Sequence, residues 1–554
     1  MSASQFSSIA PYLPLQKDPS SGDLHWVKSV EYALKAVSRG PDTSLVRNSQ
    51  ALCDCIVDMR AETGQCKDPT VHYAKSLGLG LSRLFDGLEG ADKFFSFTLP
   101  GIAKLAVQLP ELLKAHERES KKVSGGSSPL TLRVLSSQEP GMVLLQQDLI
   151  AALLACGFFC LYPGAPRERK KDDIHPINFD FLFIAVPHAK NQVQKLKCLM
   201  HYFEKVCSCM PQGTVSFERK ILPKRRPSPM KPLATFPDED YWKNSKRPLC
   251  PMKVVENGAI EGAGPDYLQA DFANMYLGGG ALHQGCVQEE IRFMINPELI
   301  AGMLFMSPMA DNETIEMTGA QQYSQYKGYA SSFMYAGDFV DSTPTDSWGR
   351  RKTCITAIDA LCGPGETQFE IRVMIRELNK AFCGFLPHSA LCGAVELWKS
   401  DNGAEAGQSE VIKLLNKLAS EDNEVGPSGS GDESSQVDRR KASTSWCSMH
   451  QVQSGVATGN WGSGAFGGNL ELKSLLQWMA ASEAGRSEVL YYSFGDPRAK
   501  RLQEVIEWVV EEGWSVSELW AVLIEYGKSR LNHQVKQELF DWILPNSGSG
   551  LSSH

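Results

Sequence analysis

The hydrophobic pattern of this chain changes at Pro232, and that change constrains the fold more than any other feature of the sequence. Before Pro232, apolar residues recur at helical spacing, for example within residues 26–37 and 102–113. After Pro232, short strand-like runs alternate with helical stretches and glycine-rich turns. The sequence therefore predicts an α/β domain with a mixed central sheet flanked by helices, preceded by an all-helical N-terminal accessory domain.

Several segments carry the pattern of a defined element. The run at residues 149–159 is apolar on every side, which predicts a helix in the core. The segments expected to form strands are residues 267–271, 314–318, 354–360 and 489–494. The clearest helical stretches after Pro232 are residues 370–381 and 470–481.

The composition is that of an ordinary globular protein. Of the 554 residues, 42% are hydrophobic and 22% are charged, which excludes collagen-like, coiled-coil and wholly disordered chains. Lys and Arg number 56 against 64 Asp and Glu, so the formal net charge is −8. Proteins that bind duplex nucleic acid over a long footprint are normally basic, so direct sequence-specific binding of nucleic acid is not expected.

Cysteine usage and the apolar runs indicate a soluble intracellular protein. The 15 cysteines are scattered and form no C-x-x-C pair, which favours reduced thiols over a zinc site. The longest uncharged apolar run, residues 149–162, is shorter than the roughly 20 residues that cross a bilayer. The N-terminus also lacks the pattern of a secretory signal. We therefore expect neither a bound metal nor a membrane association.

A basic, proline-rich linker is predicted to separate the two domains. The helical domain would comprise residues 1–232 and the α/β domain residues 233–545, followed by a flexible tail at 546–554. A stretch rich in Ser, Gly and acidic residues, around 419–445, is expected to be a disordered insertion. The basic cluster of the linker, residues 220–231, is expected to be exposed. It is a solvated connection, a nuclear import signal or a contact to a polyanion.

The first candidate site lies within residues 268–300. A predicted strand ends at Asp271, three consecutive glycines follow at 278–280, and Gln288, Glu289 and Glu290 open a predicted helix. Acidic residues at a helix N-terminus have a purely structural explanation, since they interact favourably with the helix dipole and its free N–H groups. Adjacent carboxylates beside a glycine loop equally suit a site that cleaves a glycosidic bond through an oxocarbenium-like state. The residues alone leave both interpretations open.

The second candidate site lies within residues 457–468, which read ATGNWGSGAFGG and precede a predicted helix. Gly462, Gly464 and Gly467 have the spacing G-x-G-x-x-G, and such turns bind pyrophosphate through backbone N–H groups. A dinucleotide-binding fold also requires an acidic residue roughly 20 residues after the glycines, and Asp496 lies further away. A pyrophosphate-binding loop is therefore favoured over a Rossmann fold.

The segment GGGALHQGCVQEEIRFMINPELI, residues 278–300, resembles the signature of the poly(ADP-ribose) glycohydrolase family. The resemblance extends from the helical half to about residue 530. The opening PYLPL and the long insertion before Met449 resemble the plant form of this family. Further segments that resemble the family, in its order, are LLACGFFCLYP, QYSQYKGYA, AIDAL, RELNKAFCGF, ATGNWGSGAFGG and YYSFGD.

The resemblance implies an ADP-ribose-binding macrodomain fold and hydrolysis of the ribose–ribose O-glycosidic bonds of poly(ADP-ribose). It implies that Glu290 protonates the departing ribose oxygen and then deprotonates the attacking water. Glu289 would hold the ribose hydroxyls, and Asp271 would support the catalytic loop. Further residues implied to bind substrate are Ile260 and Glu261 at the adenine edge, Phe494 on the adenine face, Tyr329 over the ligand, Asn274, Gly278, Gly279, Gly280 and Gln288 in the glycine loop, and Asn460, Gly462, Gly464, Ala465, Phe466 and Gly467 around the diphosphate.

Because Glu289 and Glu290 are adjacent, they need not flank the sugar as a usual glycosidase pair does, and we predict one acid/base residue without a covalent glycosyl intermediate. The resemblance implies no cofactor. It implies poly-ADP-ribosylated proteins as partners and a role in the DNA damage response. We also expect a monomer and a location in nucleus and cytoplasm. Two other classes remain open: a module that binds ADP-ribose without cleaving it, and a nicotinamide oxidoreductase based on the glycines of 462–467.

Overall fold

The computed structural model describes residues 8–63, 71–86, 90–123, 130–164, 174–225, 234–235, 237–387 and 455–545. The expected insertion around 419–445 and the expected flexible tail at 546–554 lie outside these residues. Most of the proline-rich part of the predicted linker, residues 226–233, lies outside them as well.

Helices occur along the whole described chain, and those predicted at 370–381 and 470–481 are confirmed as α12 and α13. The helices are α1 (Lys28–Ser38), α2 (Pro41–Ser44), α3 (Ser49–Glu62), α4 (Val71–Phe85), α5 (Ala91–Lys93), α6 (Leu99–Val123), α7 (Gln147–Phe158), α8 (Asp180–Ala185), α9 (Lys190–Ser208), α10 (Glu239–Asn244), α11 (Gln288–Ile295), α12 (Ile371–Phe385), α13 (Leu470–Glu483), α14 (Leu502–Glu511), α15 (Val516–Leu531) and α16 (Leu539–Ile543).

The four predicted strands are confirmed as β8, β9, β12 and β14, with β8 at the predicted bounds and the ends of β12 and β14 earlier than predicted. The strands are β1 (Gln16–Lys17), β2 (Leu24–His25), β3 (Gly141–Gln146), β4 (Thr214–Ile221), β5 (Lys224–Arg225), β6 (Ala234–Thr235), β7 (Met252–Val255), β8 (Tyr267–Asp271), β9 (Glu313–Thr318), β10 (Ser324–Lys327), β11 (Met334–Asp338), β12 (Cys354–Ala357), β13 (Gly455–Gly459) and β14 (Val489–Tyr492).

The chain forms two compact units that differ from the predicted division at residue 232. The first unit comprises residues 1–219, 271–310 and 315–357, and the second comprises 220–270, 311–314 and 358–554. The difference arises because two segments that follow Pro232 in sequence pack with the N-terminal helices. The predicted domain bounds therefore remain a prediction about the organisation of the sequence.

Helix α7 forms the centre of the first unit. Every residue of α7 except Asp148 is buried, as the apolar run at 149–159 predicts. The helix packs against α6, and Gly157 lies so close to the carbonyl of Ile177 that a Cβ atom would be 2.4 Å from that oxygen. In the same unit, β3 pairs with β4 and β9 pairs with β12, both antiparallel.

The second unit contains four parallel strands in the order β8-β13-β14-β7. Helices α12 and α13 pack against each other, and every residue of α13 except Glu471 is buried. Parallel strands that are connected through buried helices place their carboxyl ends at one edge, where ligand sites of α/β proteins usually lie. Antiparallel pairs in the first unit and parallel pairs in the second confirm the predicted mixed strand directions.

Two strands in the N-terminal half, β3 and β4, are not visible in the helical spacing of that half. Strand β4 is buried at every position from Val215 to Ile221, so it lacks the alternation by which half-buried strands are predicted. The expectation that Lys220 belongs to an exposed linker is wrong. Lys220 lies in β4 with 1% of its surface exposed, and its Nζ donates to the carbonyls of Gly384 (2.8 Å) and Leu386 (2.9 Å).

Within the described ranges, every helix is too short or too polar to span a bilayer.

Candidate active site

The loop that joins β8 to α11, called here the catalytic loop (residues 272–287), is held by side chains of the first turn of α11. The Gln288 Oε1 accepts a hydrogen bond from the backbone N–H of Phe272 at 2.8 Å. The two oxygens of Glu289 accept from the N–H groups of Asn274 (2.8 Å) and Gly278 (2.7 Å). The sequence therefore places acidic residues at this helix N-terminus to fix the loop as well as to meet the helix dipole.

Glu290 is held by two further backbone donors. Its Oε1 accepts from the N–H of Gly280 at 2.9 Å, and its Oε2 accepts from the N–H of Val287 at 2.8 Å. The side chain is 7% exposed, compared with 2% for Glu289 and none for Asp271. Of these three carboxylates, Glu290 is therefore the one whose surface is most open to a ligand.

The glycines of the catalytic loop are required by the approach of these carboxylates. Gly279 has a left-handed φ of +49°, and a Cβ at this residue would lie 2.6 Å from Glu289 Oε2 and 2.7 Å from Glu290 Oε1. A Cβ at Gly285 would lie 2.6 Å from Glu290 Oε1. The triple glycine thus lets the backbone pass directly beside both glutamates.

Asp271, the last residue of β8, is a fully buried carboxylate. Within the described part of the chain, neither of its carboxylate oxygens has a hydrogen-bond partner. Burial raises the pKa of Asp271 from 3.8 to about 8, the charge of Arg292 opposes this rise and the charge of Glu290 adds to it. Burial and the charges of Asp271 and Glu290 also raise the pKa of Glu289. Near neutral pH, the pair of Asp271 and Glu289 therefore retains a proton.

The raised pKa of Asp271 predicts a pH-dependent effect of the substitution Asp271→Asn on stability. Between about pH 4 and pH 8, the folded protein keeps a proton at Asp271 that the unfolded chain releases, so this contribution to stability is present at low pH and is lost as the pH rises through about 8. Asparagine cannot ionise. We expect the melting temperature of Asp271→Asn, relative to that of the unsubstituted protein, to rise steadily from pH 5.5 to pH 8.5.

Thermal unfolding followed by circular dichroism at each pH measures this difference. The exposed Asp92 offers a matched control, since Asp92→Asn removes a carboxylate of the same size from a solvated position. A difference for Asp271→Asn that stays constant over this pH range, or falls, would contradict the raised pKa.

Tyr329 lies between the strands of the hairpin formed by β10 and β11 in the first unit. The side chain is 54% exposed. Burial of its hydroxyl raises the pKa of Tyr329, a backbone hydrogen bond of Gln288 opposes the rise, and the charges of Glu290 and Cys286 add to it. The structure therefore brings Tyr329 close to Gln288, Glu290 and Cys286.

In the second unit, residues 460–467 form a loop between β13 and α13, called here the glycine-rich loop. Gly462 and Gly467 both have a left-handed φ of +70°, and the loop is closed by a bond from the N–H of Gly468 to the carbonyl of Gly462 at 2.9 Å. Within the described residues, the N–H groups of Gly464, Ala465 and Phe466 have no hydrogen-bond acceptor. Free N–H groups in a turn before a helix are the donors that bind diphosphates.

Asn460 fixes the start of the glycine-rich loop. Its Nδ2 donates to the carbonyl of Ser493 at 2.9 Å, and its Oδ1 accepts from the hydroxyl of Tyr491 at 2.9 Å. The side chain predicted to bind substrate thus ties the loop to β14 and to the residue that follows it.

Lys473 is a residue of the glycine-rich loop region that the sequence analysis missed. It lies in α13 with 1% of its surface exposed, forms an ion pair with Glu377 and lies 4.2 Å from the centre of the Trp461 ring. A Cβ at Gly462 would be 3.3 Å from its Nζ. The one feature of the sequence that could have indicated its burial is that the helix around it is largely apolar.

The residues predicted at the adenine lie near one another in the second unit. Phe494 has a left-handed φ of 54° and is 46% exposed, and its ring contacts Gly459, where a Cβ would be 3.0 Å from the Phe494 Cε2. Burial raises the pKa of Tyr492, and the charge of the nearby Glu261 adds to this rise. Ile260 is 1% exposed, so a ligand would meet its backbone instead of its side chain.

Groups of three or more His, Cys, Asp or Glu that could hold a metal ion do not occur among the described residues.

The predicted site residues fall into two sets. Asp271, the catalytic loop, the start of α11 and Tyr329 lie in the first unit, and Ile260, Glu261, the glycine-rich loop and Phe494 lie in the second.

Comparisons with known proteins agree with the sequence resemblance. Residues 239–501 match the family described as poly(ADP-ribose) glycohydrolase, macro domain fold, and residues 88–219 match the helical domain of the same family. The chain is 41% identical to poly(ADP-ribose) glycohydrolase 1 of Arabidopsis thaliana over 98% of this chain and 97% of that protein. It is also 41% identical to the probable poly(ADP-ribose) glycohydrolase 2 of Arabidopsis thaliana, over 97% and 98% of the two chains.

A more distant relative is poly(ADP-ribose) glycohydrolase 1 of Caenorhabditis elegans, which is 28% identical over 69% of this chain and 40% of that protein. The near-complete coverage of the two plant sequences confirms the predicted resemblance to the plant form. The matched macro domain confirms the predicted fold class. The chain therefore belongs to the poly(ADP-ribose) glycohydrolase family.

Proposed function

We propose that this chain hydrolyses the ribose–ribose O-glycosidic bonds of poly(ADP-ribose) and that Glu290 is its acid/base residue. Membership of the family supports the reaction and the substrate. The observation that carries the residue assignment is the exposure of Glu290, which exceeds that of Glu289 and Asp271 in the same cluster. A group that exchanges protons with a ligand must reach the ligand, and Glu290 is more exposed than the two deeper carboxylates.

The reaction begins with transfer of a proton from Glu290 to the ribose oxygen that leaves. The bond between that oxygen and the anomeric carbon then breaks, and positive charge develops on the sugar as in other glycoside hydrolyses. The Glu290 carboxylate next takes a proton from water, whose oxygen bonds to the anomeric carbon. One residue thus donates and recovers one proton, and the products are ADP-ribose and a shortened polymer.

Glu289 positions the catalytic loop and holds the ribose hydroxyls in this proposal. Both of its oxygens accept backbone N–H groups of the loop, so its orientation is fixed before a ligand binds. The negative charge of the buried cluster of Glu289 and Asp271 stabilises the positive charge that develops on the sugar.

The glycine-rich loop binds the diphosphate through backbone donors in this proposal. The N–H groups of Gly464, Ala465 and Phe466 point to this role because they lack acceptors within the described chain and precede α13. Backbone donors explain how a chain with a net charge of −8 binds a polyanionic substrate, because they carry partial positive charge without adding a basic residue.

The adenine is proposed to stack on Phe494, which predicts a selective loss of affinity in Phe494→Ala. Stacking of a base on an aromatic ring contributes about 1 to 3 kcal/mol, so the Kd for ADP-ribose should rise about 5- to 150-fold. Binding of ribose 5-phosphate, which has no base, should not change. Isothermal titration calorimetry with both ligands measures the two constants. Phe97→Ala is the control because Phe97 is similarly exposed, at 44%, and an equal loss of affinity in both variants would contradict the stacking.

Incubation with radiolabelled poly(ADP-ribose) tests the proposed reaction itself. Release of ADP-ribose monomers is expected. A protein that binds the polymer tightly and leaves it intact over hours would instead be the binding module that the sequence analysis left open.

The proposed cellular setting follows from the substrate. We propose a monomer that acts on poly-ADP-ribosylated proteins in nucleus and cytoplasm, as part of the DNA damage response. A fluorescent fusion of the full chain tests the location, and exclusion from the nucleus would contradict it. Size-exclusion chromatography with light scattering tests the monomer.

A further inference from the structure

We propose that Lys195 of α9 is a positioning residue of the active site, which fixes the part of the catalytic loop that holds Glu290. The inference rests on the proposed role of Glu290. It concerns a residue of the helical region, outside the motifs on which the family resemblance depends.

The ammonium group of Lys195 lies among three backbone carbonyls of the catalytic loop. Its Nζ donates to the carbonyls of His283 at 2.8 Å, of Gly285 at 2.6 Å and of Gly280 at 3.3 Å. The side chain has no exposed surface. A lysine ammonium has three donors and no acceptor, so these three carbonyls satisfy it completely.

The carbonyls of His283 and Gly285 have no other donor within the described residues, whereas that of Gly280 also accepts from the N–H groups of His283 (2.9 Å) and Gly285 (3.1 Å). A carbonyl that loses its donor destabilises the fold, and a single side chain serves both the carbonyl of His283 and that of Gly285. The neighbouring Gln192 extends the arrangement, because its Nε2 donates to the carbonyl of Gln284 at 3.3 Å. Residues 280–285 are thus fixed by side chains of one helix.

The same residues form the surroundings of Glu290. The N–H of Gly280 donates to Glu290 Oε1 while the carbonyl of Gly280 accepts from Lys195, so one peptide segment connects the cation to the carboxylate. Gly285, the shortest contact of Lys195, also lies directly beside Glu290 Oε1. Displacement of this segment therefore moves the donor that orients Glu290.

The charged and titratable groups that face Lys195 favour its protonated form. Burial lowers the pKa of Lys195 to about 8, while Cys286 and Glu290 oppose the decrease. His283, which lies in the same segment, has its pKa lowered by burial first and by Lys195 next. At neutral pH the ammonium is the form that can donate to three carbonyls.

Helix α9 holds the Tyr329 hairpin as well. The Nδ2 of Asn191 donates to the carbonyl of Ala330 at 3.1 Å, and the Oε1 of Gln194 accepts from the N–H of Tyr335 at 3.2 Å. One turn of α9 thus contacts both the catalytic loop and the hairpin, with Lys195 at the loop.

The substitution Lys195→Met tests the proposal, because methionine keeps an unbranched side chain as far as Cε and removes the ammonium donors. We expect kcat for poly(ADP-ribose) to fall about 100-fold, the effect of misplacing a catalytic group by about 1 Å. The KM and the Kd for ADP-ribose should change less than about threefold. Lys197→Met is the matched control, since Lys197 lies on the same helix and is partly exposed, and it should retain full activity.

A second variant keeps the proposal testable if Lys195→Met does not fold. Lys195→Arg keeps the charge, but its planar guanidinium cannot direct donors at three converging carbonyls, and kcat should fall about tenfold. Melting temperatures establish which variants are folded. A folded variant at position 195 whose kcat remains within about twofold of that of the unsubstituted protein would overturn the proposal.

A double-mutant cycle separates positioning of Glu290 from a general structural effect. If Lys195 acts through Glu290, Lys195→Met should lower kcat little further in a Glu290→Gln background. Equal losses in both backgrounds would overturn the proposal. If Glu290→Gln alone is fully active, the assignment of the acid fails, and the effect of Lys195→Met on the unsubstituted protein still reports whether the loop needs this lysine.

Discussion

Glu290→Gln is expected to lower the turnover of poly(ADP-ribose) about 100- to 10,000-fold, the range over which general acid/base residues act. Glutamine has no acidic proton to give to the leaving oxygen and cannot accept one from water. Its amide oxygen can still accept from the N–H of Gly280 or of Val287, so the loop keeps one of its two bonds to this side chain. The Kd for ADP-ribose should therefore change only a few fold.

Single-turnover kinetics with labelled polymer and calorimetry with ADP-ribose measure the two quantities separately. Glu298→Gln is the control, because Glu298 is another buried glutamate with three hydrogen-bond donors, from Gln147, Gln321 and Tyr323. It should lower stability while the folded enzyme keeps its kcat. Full activity in Glu290→Gln, or an equal loss of kcat in Glu298→Gln, would refute the assignment of the acid.

The sequence predicts the candidate site where the signal is local. The adjacent glutamates, the triple glycine and the end of β8 lie within about 20 residues of one another, so their meeting follows from one strand, one loop and one helix. The structure adds which glutamate accepts from which loop N–H. Glu289 accepts from Asn274 and Gly278, and Glu290 accepts from Gly280 and Val287. The structure also shows that Glu289 faces the loop backbone and that Glu290 is the more exposed of the two.

The sequence does not predict the residues that support the site from a distance. Lys195 lies on an amphipathic helix, where a lysine is usually solvated, and its carbonyl partners follow 85 to 90 residues later. Lys473 has the same character, since its partner Glu377 belongs to another helix. A buried cation is recognisable only once the fold places its acceptors, because no spacing within the helix distinguishes it from a surface lysine.

The fold also contains a strand, β4, whose burial cannot be recognised from its sequence. Strand β4 reads as a mixture of apolar and charged residues, and yet Glu218, Arg219 and Lys220 are all buried. The two cations have tertiary partners, because Lys220 donates to two carbonyls and Arg219 to the carbonyl of Ser307. A pattern that counts charged residues as exposed therefore misplaces the end of this strand, Lys220 and Ile221, in a linker.

Gly279→Ala is expected to lower kcat about 100-fold while most of the fold remains intact. The left-handed φ of +49° costs an alanine about 1 to 2 kcal/mol, and its Cβ would lie within 2.7 Å of oxygens of both Glu289 and Glu290. The glutamates cannot move away without breaking the hydrogen bonds that they accept from backbone N–H groups of the loop. The loop must then shift, and a shift of about 1 Å costs about 100-fold in kcat.

The measurement pairs kcat with the melting temperature, so that loss of geometry is distinguished from loss of fold. Gly164→Ala is the control, because Gly164 has no left-handed φ and no atom would lie within 4 Å of its Cβ. We expect kcat to fall strongly while the melting temperature changes little, because the clash involves the two carboxylates and not the hydrophobic core. If Gly279→Ala retains the kcat of Gly164→Ala, the carboxylates can tolerate a displaced loop, and catalysis does not depend on the contact between Glu290 and the triple glycine.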